Sequence, residues 1–428
     1  MRHSRFTSWM VGMLMAAPFV YRGADWLRPR VSSVDTAAVQ AGKDLFLHEW
    51  TPGDPLAASG DGLGPVFNAK SCVECHRQGG AGGSGPFETN VNVFTIRPRG
   101  DDRVLGARSR QGVVHAQAVA PEFQETFGHV HPSLPAISPA GSSLSMLPQN
   151  GVRGLNFPAG INISQRKTPA LFGAGLIDSI PDRDIIANER VQRLKWGLAS
   201  STDKTAPVGR VLRMSDGRIG RFGWKAQTVS LKEFVRAACA NELGLGNPGQ
   251  AQPQPMAQPG YVTVGFDLTL AQCDQLAEYI NSLPRPVERT PQEPVDCQQA
   301  TAGKSVFHKI GCADCHIPDV GDVRGLYSDL LLHEMGQELE GGGDYNDRPL
   351  EEPAFKSGTG PLPAEWRTPP LWGVARSAPY LHDGRATTLQ EAISLHGSQG
   401  RNSATRYASL PAQEQQQLIA FLRTLDTP

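Results

Sequence analysis

The sequence has no surplus of charge. Its 41 lysines and arginines nearly cancel 42 aspartates and glutamates, the net charge is −1, and charged residues make up only 19% of 428. That balance gives no electrostatic footing for nucleic acid or an anionic membrane surface. Beyond the N-terminal segment the chain also lacks any apolar run long enough to cross a bilayer. Glycine (46) and proline (34) are plentiful instead. This is the composition of a loop-rich protein that wraps something other than its own side chains. Its length predicts two or three domains, each able to build a core.

At the start, Arg2, His3 and Arg5 precede an apolar run from Phe6 to Val20, with Arg22 after it. The run is shorter than a spanning helix requires and reads as a secretory signal. No clean small-x-small cleavage site follows, which leaves an uncleaved N-terminal anchor over residues 1–30 as the alternative. Both readings put the body of the chain in the periplasm or otherwise outside the cytoplasm, with membrane contact only through that segment.

What is present is a pentapeptide repeated: Cys72-Val73-Glu74-Cys75-His76 and Cys312-Ala313-Asp314-Cys315-His316. Cys-x-x-Cys-His is the attachment sequence of c-type haem. The thiols form thioethers to the porphyrin vinyl groups, and the adjoining histidine supplies the proximal nitrogen to iron. Two copies predict two covalently bound haem c groups. Cys72, Cys75, Cys312 and Cys315 are then the attachment residues, and His76 and His316 the iron ligands. Zinc fits less well, because it does not require a histidine after each pair. The pairs also stand 240 residues apart. A thioredoxin-like motif calls for one pair beside a βαβ pattern. Among Cys239, Cys273 and Cys297 an oxidising compartment permits one disulfide, the alternative being small buried apolar residues.

Both motifs sit in longer matching stretches. Ala41-Gly42-Lys43-Asp44-Leu45-Phe46 answers Ala302-Gly303-Lys304-Ser305-Val306-Phe307, and Thr168-Pro169-Ala170-Leu171-Phe172-Gly173 answers Thr368-Pro369-Pro370-Leu371-Trp372-Gly373. Next, Trp224 to Leu231 answers His382 to Leu389, and each half closes on a helix, Leu276 to Leu283 and Leu418 to Leu425. Leu418, Ile419, Leu422 and Leu425 share one helical face, and Pro411 suits the first turn. The expected fold is mainly α, with two cytochrome-c-like haem domains produced by an internal duplication. The domains are expected at 35–287 and 298–428, joined by a linker at 288–297 within a proline-rich stretch. A long loop-rich insertion, about Gly79 to Gly160, lengthens the first half, and Asn90 to Ile96 alternates like a strand. Gly246 to Gly260 reads as an exposed loop.

Duplicated domains keep fold positions and diverge at chemistry. His396 lies fourteen residues after His382 and aligns with Ala238. The second haem thus has a candidate distal nitrogen where the first has a methyl group. A six-coordinate iron passes electrons, whereas a five-coordinate iron can bind and activate an oxygen-containing ligand. The alternative for His396 is a helix-end histidine bonded to a backbone carbonyl. For the first haem, His115, His129 and His131 in the insertion are candidates to loop over the iron, or else surface histidines.

Several stretches resemble the bacterial di-haem cytochrome c peroxidase superfamily, and more closely its di-haem oxidoreductase branch, also labelled thiol oxidoreductases. They are Asp61-Gly62-Leu63-Gly64-Pro65-Val66-Phe67-Asn68, Lys167 to Gly173, Leu330-Leu331-Leu332-His333-Glu334-Met335-Gly336, Glu365 to Gly373, and Tyr380-Leu381-His382-Asp383-Gly384-Arg385. The resemblance implies that His396 is the distal ligand of the C-terminal haem. It also implies that Trp224 relays electrons between haems and that Glu242, eighteen residues on, is the acid–base group over the N-terminal haem. The family's glutamine ten past the tryptophan is Phe234 here. A calcium ion, held partly by carbonyls near Ser377 to Pro379, is implied only in outline. For His333 and Met335 the readings are a spare axial or propionate contact, or core packing. His382 is expected on a propionate or the backbone rather than on iron. The functional expectation is an exported peroxidase-like oxidoreductase, with a catalytic N-terminal haem and an electron-transfer C-terminal haem. Its expected partners are a small soluble electron-transfer protein and peroxide or another small oxidant. The alternatives are a di-haem electron carrier without catalysis, and an oxidase of a protein or thiol partner.

Overall fold

Two helix pairs organise the computed structural model, which describes residues 35–96, 110–139, 160–342 and 360–428. Thr36–Leu47 packs on Leu270–Ser282, and Pro294–Lys309 packs on Ala412–Thr424. In each pair a glycine from the repeated Ala-Gly-Lys sequence meets the partner's backbone. A Cβ on Gly42 would lie 1.9 Å from the Gln275 carbonyl oxygen, and one on Gly303 would lie 1.8 Å from that of Gln417. Only glycine permits such an approach.

The helix starts follow capping chemistry. Thr269 and Gln272 form a capping box before Leu270–Ser282, and the Ser230 hydroxyl accepts from the Glu233 amide at the head of Leu231–Leu243. Leu231–Leu243 ends at Gly244 with φ +65°, the left-handed cap that glycine takes without strain. Pro411 precedes Ala412–Thr424, whose buried face carries Leu418, Ile419, Phe421 and Leu422.

Strand is the minor component among the described residues. Val91–Ile96 is the middle strand of an antiparallel sheet between Arg110–Val114 and Ile161–Arg166. Its two faces serve two small cores, Val91 and Val93 against Val113, and Phe94 against Val114, Ile161 and Ile163. The last strand runs directly into Lys167-Thr168-Pro169.

Thr36–Pro428 cluster as one unit. Leu326, Leu330, Leu331 and Trp372 share a core with Leu45, Phe46, Leu276 and Ile280. Two backbone bonds also link the sequence stretches that the repeat matches. Lys167 N–H donates to the His382 carbonyl (2.7 Å), and Arg367 N–H donates to the Trp224 carbonyl (2.9 Å).

The expected linker is more ordered than a linker. Val287–Glu288 pairs with Leu425–Asp426, and residues 294–297 form a helical first turn opened by Pro294, which has no N–H to leave unbonded. The stretch from Gly246 to Gly260 is irregular and only about half of it is exposed. Gln252 is 5% exposed because its amide nitrogen donates to Asp61 and to the Gly244 carbonyl. Cys239 and Cys273 are buried free thiols and Cys297 is a half-buried one, so none of the three is paired. The N-terminal segment 1–30 lies outside the described residues, as do parts of the insertion. Among the described residues no helix is long and apolar enough to cross a membrane.

Gly303→Ala should destabilise the protein by about 1–3 kcal/mol, since the overlap is with backbone and outweighs the roughly 1 kcal/mol helix-propensity gain of alanine. Gly197→Ala, whose Cβ would meet only Arg193 Cγ at 3.4 Å, is the control and should be neutral or slightly stabilising. The comparison is read from chemical denaturation midpoints.

Candidate functional site

The second pentapeptide follows a helix directly. Pro294–Lys309 ends at Ile310, Gly311 turns with φ +92°, and Cys312–Asp314 form a single 3-10 turn. This presents Cys312, Cys315 and His316 to a cavity of about 380 Å³ that His396 also lines. His316 Nδ1–H donates to the Tyr327 carbonyl (2.9 Å), and His396 Nδ1–H donates to the Ala392 carbonyl (2.7 Å). A carbonyl only accepts, so each Nδ1 holds the proton and each Nε2 keeps its lone pair. Burial, with the nearby charge of His396, pushes His316 down to about 4, and burial lowers His396 as well. Neutral imidazoles are the form that binds iron. The helix-end carbonyl bond expected as the alternative for His396 is present, and it is the bond that frees Nε2.

The first pentapeptide begins a short helix, Cys72–Cys75, capped by the Ser71 hydroxyl. Cys72, Cys75 and His76 line a second cavity of about 120 Å³. His76 Nδ1–H donates to the Gly83 carbonyl (3.2 Å), leaving the same Nε2 lone pair, and burial takes its pKa down to about 4. Ala238 lines this cavity, where His396 lines the other. Glu242 lines it too. Its Oε2 accepts from Asn68 Nδ2 (2.9 Å), while Asn68 Oδ1 accepts from the Ala116 amide and Asn68 N–H donates to the Glu242 carbonyl. Phe234 is at the wall, stacked near Phe222 with ring centroids 6.2 Å apart.

The donors at each site fit haem c: two cysteines and a histidine whose Nδ1 is bonded to a carbonyl line one cavity. Among the described residues the one cluster of three metal-capable side chains is Cys315, Asp329 and His333. It excludes Cys312 and His316 and stands apart from Ser377 to Pro379, where the resemblance would put calcium.

Trp224 lines both cavities. Its indole N–H donates to the Lys167 carbonyl (2.8 Å), and its own carbonyl accepts from Arg367. His382 is buried and stacks on Trp366, with ring centroids 3.6 Å apart and an interplanar angle of 14°. His333 belongs to a polar network rather than an apolar core. One ring nitrogen meets Asp329 (2.9 Å) and the other meets Gln399 (2.7 Å), so both are used. Met335 lines the larger cavity.

The insertion histidines do not cover either cavity. His115 is buried with both nitrogens engaged, Nδ1 by Glu125 (3.0 Å) and Nε2 by the Asn241 carbonyl (3.0 Å). His129 closes a capping box with Thr126, and His131 bonds Ser133. His129 and His131 are satisfied within their own loop, and His115 by its loop and by the helix Leu231–Leu243. Sequence reading passed over Asn68, Lys167 and Arg367, although all three stand inside the quoted motifs. The available signal was a cation placed just before Thr-Pro in both halves.

A family model described as "Di-haem oxidoreductase, putative peroxidase" matches residues 151–425. Hydrazine synthase subunit gamma of Kuenenia stuttgartiensis is 27% identical over 188 residues, which is 39% of this chain and 52% of that protein. The chain therefore spans about half the length of that relative. Cytochrome-c peroxidase IdrP1 of Pseudomonas sp. (strain SCT) is 24% identical over 277 residues, 54% of this chain and 73% of its own. The solved diheme peroxidase BthA from Burkholderia thailandensis E264 aligns over 91% of this chain and 86% of its own, at 14% identity and a TM-score of 0.41.

His115 carries a testable pH dependence. The Glu125 carboxylate overrides the desolvation of the ring and raises its pKa above the ordinary value. A raised folded-state pKa contributes stability that is present below the unfolded value, about 6.5, and is lost as pH rises through the folded value. His115→Gln should therefore cost most stability at acidic pH, and its deficit against wild type should shrink as pH rises. Unfolding midpoints of both proteins across pH 5 to 9 read this directly, and a constant deficit would count against it.

Proposed function

The chain belongs to the di-haem oxidoreductase family, and from that premise we propose an exported, peroxidase-like enzyme with two unequal haem c sites. The observation that carries the reading is the contrast of Ala238 in one cavity with His396 in the other. The haem on Cys72, Cys75 and His76 is the catalytic one, open on the side of Ala238. The haem on Cys312, Cys315 and His316 is capped by His396 and handles electrons. The two halves are duplicated haem domains, 35–287 and 298–428, joined through 288–297, whose last four residues already form the first turn of the helix Pro294–Lys309. The first segment directs the chain to the periplasm, as a cleaved signal or an anchor. A small soluble electron-transfer protein supplies electrons, and peroxide or another small oxidant takes them. A calcium ion near Ser377 to Pro379 remains the resemblance's suggestion alone.

When bound, the two haems supply the iron redox chemistry that reduces a peroxide by two electrons to water. The residues of this chain hold protons and geometry. Glu242 carries a proton to the departing peroxide oxygen, a role that contributes about 10²–10⁴-fold in general acid catalysis. Asn68 Nδ2 fixes one Glu242 oxygen, so the carboxyl cannot swing away from the cavity. Trp224, against both cavities, is the bridge for electrons, and its indole bond to the Lys167 carbonyl fixes the ring. Phe234, in place of a glutamine, makes the wall of the first cavity apolar.

Low-temperature electron paramagnetic resonance of wild type and His396→Ala tests the assignment. Wild type should show one low-spin signal from His316/His396 and a distinct first haem, and the variant should lose the former. An unchanged spectrum removes His396 from iron. Glu242→Gln should leave both haem spectra intact while peroxide turnover falls about 10²–10⁴-fold. Two low-spin haems inert to cyanide and peroxide would make the protein an electron carrier. Oxidation of a partner thiol or side chain without peroxide consumption would make it an oxidase.

A further inference from the structure

Lys167 and Arg367 stand at the same place in the two Thr-Pro motifs, directly before Thr168 and Thr368. They are 4% and 9% exposed. Among the described residues the Lys167 ammonium has one bonding partner, the Thr168 carbonyl at 3.3 Å. The Arg367 guanidinium donates only to carbonyls, of Gly223 (2.9 Å) and Thr368 (3.4 Å). The buried acids nearby are committed elsewhere, Asp383 to Arg385 (2.6 Å), Glu365 to Arg210 (2.6 Å) and Asp329 to His333 (2.9 Å). Burial lowers Lys167 to about 7, and it lowers Arg367 to about 10 against the opposing charge of Asp329. A cation this deep is held in proteins by a paired counter-charge or by a full set of hydrogen bonds, and the Lys167 ammonium has neither.

Both cations face the candidate cofactor spaces. Lys167 lines both cavities and its charge bears on His76, while Arg367 lines the larger one. A porphyrin of the haem c type brings two propionate carboxylates and no other anion. We propose that Lys167 anchors a propionate of the haem on His76 and Arg367 a propionate of the haem on His316, each through a charge-assisted hydrogen bond. The inference rests on the di-haem reading and adds to it a carboxylate-binding site in each half. It also joins cofactor seating to the electron bridge, because the backbones of these same residues hold Trp224 from two sides.

A cation beside a haem disfavours the ferric state, which carries one more positive charge, and so raises the reduction potential. Spectroelectrochemical titration of the full chain, matured with its haems, is combined with resonance Raman bands of propionate bending. K167M should lower the midpoint potential of the haem on His76 and spare the other, and R367M should do the reverse. K167R keeps the charge, so it should keep the potential while shifting the propionate bands of one haem. K167R with those bands unmoved overturns the anchor even where K167M fails to mature. Two haems with potentials unmoved in K167M overturn it as well. A wild-type protein that releases its colour on denaturation, with no haem left on the chain, overturns the di-haem reading itself and this inference with it.

Discussion

Three imidazoles give their Nδ1 proton to a backbone carbonyl, and the candidate chemistry depends on that bond. His76, His316 and His396 find Gly83, Tyr327 and Ala392 respectively. The bond selects one tautomer, fixes the ring plane and leaves Nε2 basic. Buried without it, each ring would carry an unsatisfied donor and could turn. The contrast with His115, His333 and His129 follows from the same bookkeeping of lone pairs. His115 and His333 spend both nitrogens inside the protein, and His129 Nδ1 accepts the Thr126 N–H, which puts the ring proton on Nε2 and leaves no lone pair there. Location in a loop does not make a ligand; a basic Nε2 on a ring that lines a cavity does.

This explains what was legible in the chain and what was not. The attachment cysteines and their histidines are local, a pentapeptide that can be read without knowing the fold. The contrast of Ala238 with His396 needed only the register of the repeat, and each residue lines its own cavity. Gly42 and Gly303 were visible as matched glycines, and the helix contacts give their reason. His115 was not legible, because its Nε2 partner, the Asn241 carbonyl, is brought to it by tertiary packing. Gly246 to Gly260 is the loop expected, but half of it is turned inward for a related reason. Its glutamines and prolines read as solvated, yet Gln252 is drawn inward by Asp61, nearly two hundred residues away in sequence. The linker misled because a proline can open a helix as readily as it can interrupt one.

Buried charge marks the second gap in sequence reading. A lysine or arginine in a motif looks like ordinary surface polarity until its exposure is known. Lys225 shows the self-sufficient solution: its ammonium is saturated by the carbonyls of Leu362, Pro363 and Glu365 and lies 3.5 Å from the Trp366 ring centroid. Lys167, one weak carbonyl contact aside, has no such cage. The difference between these two lysines, both deep and both near the cavities, separates a structural cation from one waiting for an anion.

The positions Trp224 and His382 match in the repeat, yet their surroundings differ. Each has a carbonyl that accepts a backbone bond from the other half's Thr-Pro motif, so the main chain treats them alike. Their rings diverge. The Trp224 indole donates to the Lys167 carbonyl and touches both cavities. The His382 ring lies flat on Trp366, whose other contacts are the Arg166 guanidinium at 4.6 Å and the Lys225 ammonium at 3.5 Å. Positive charge so close disfavours removing an electron from that stack and disfavours protonating His382, which burial already holds far below its ordinary pKa. On the proposed reading, Trp224, which lines both cavities, suits electron transfer between the two sites, and the matched His382, stacked on Trp366 beside two cations, suits it less.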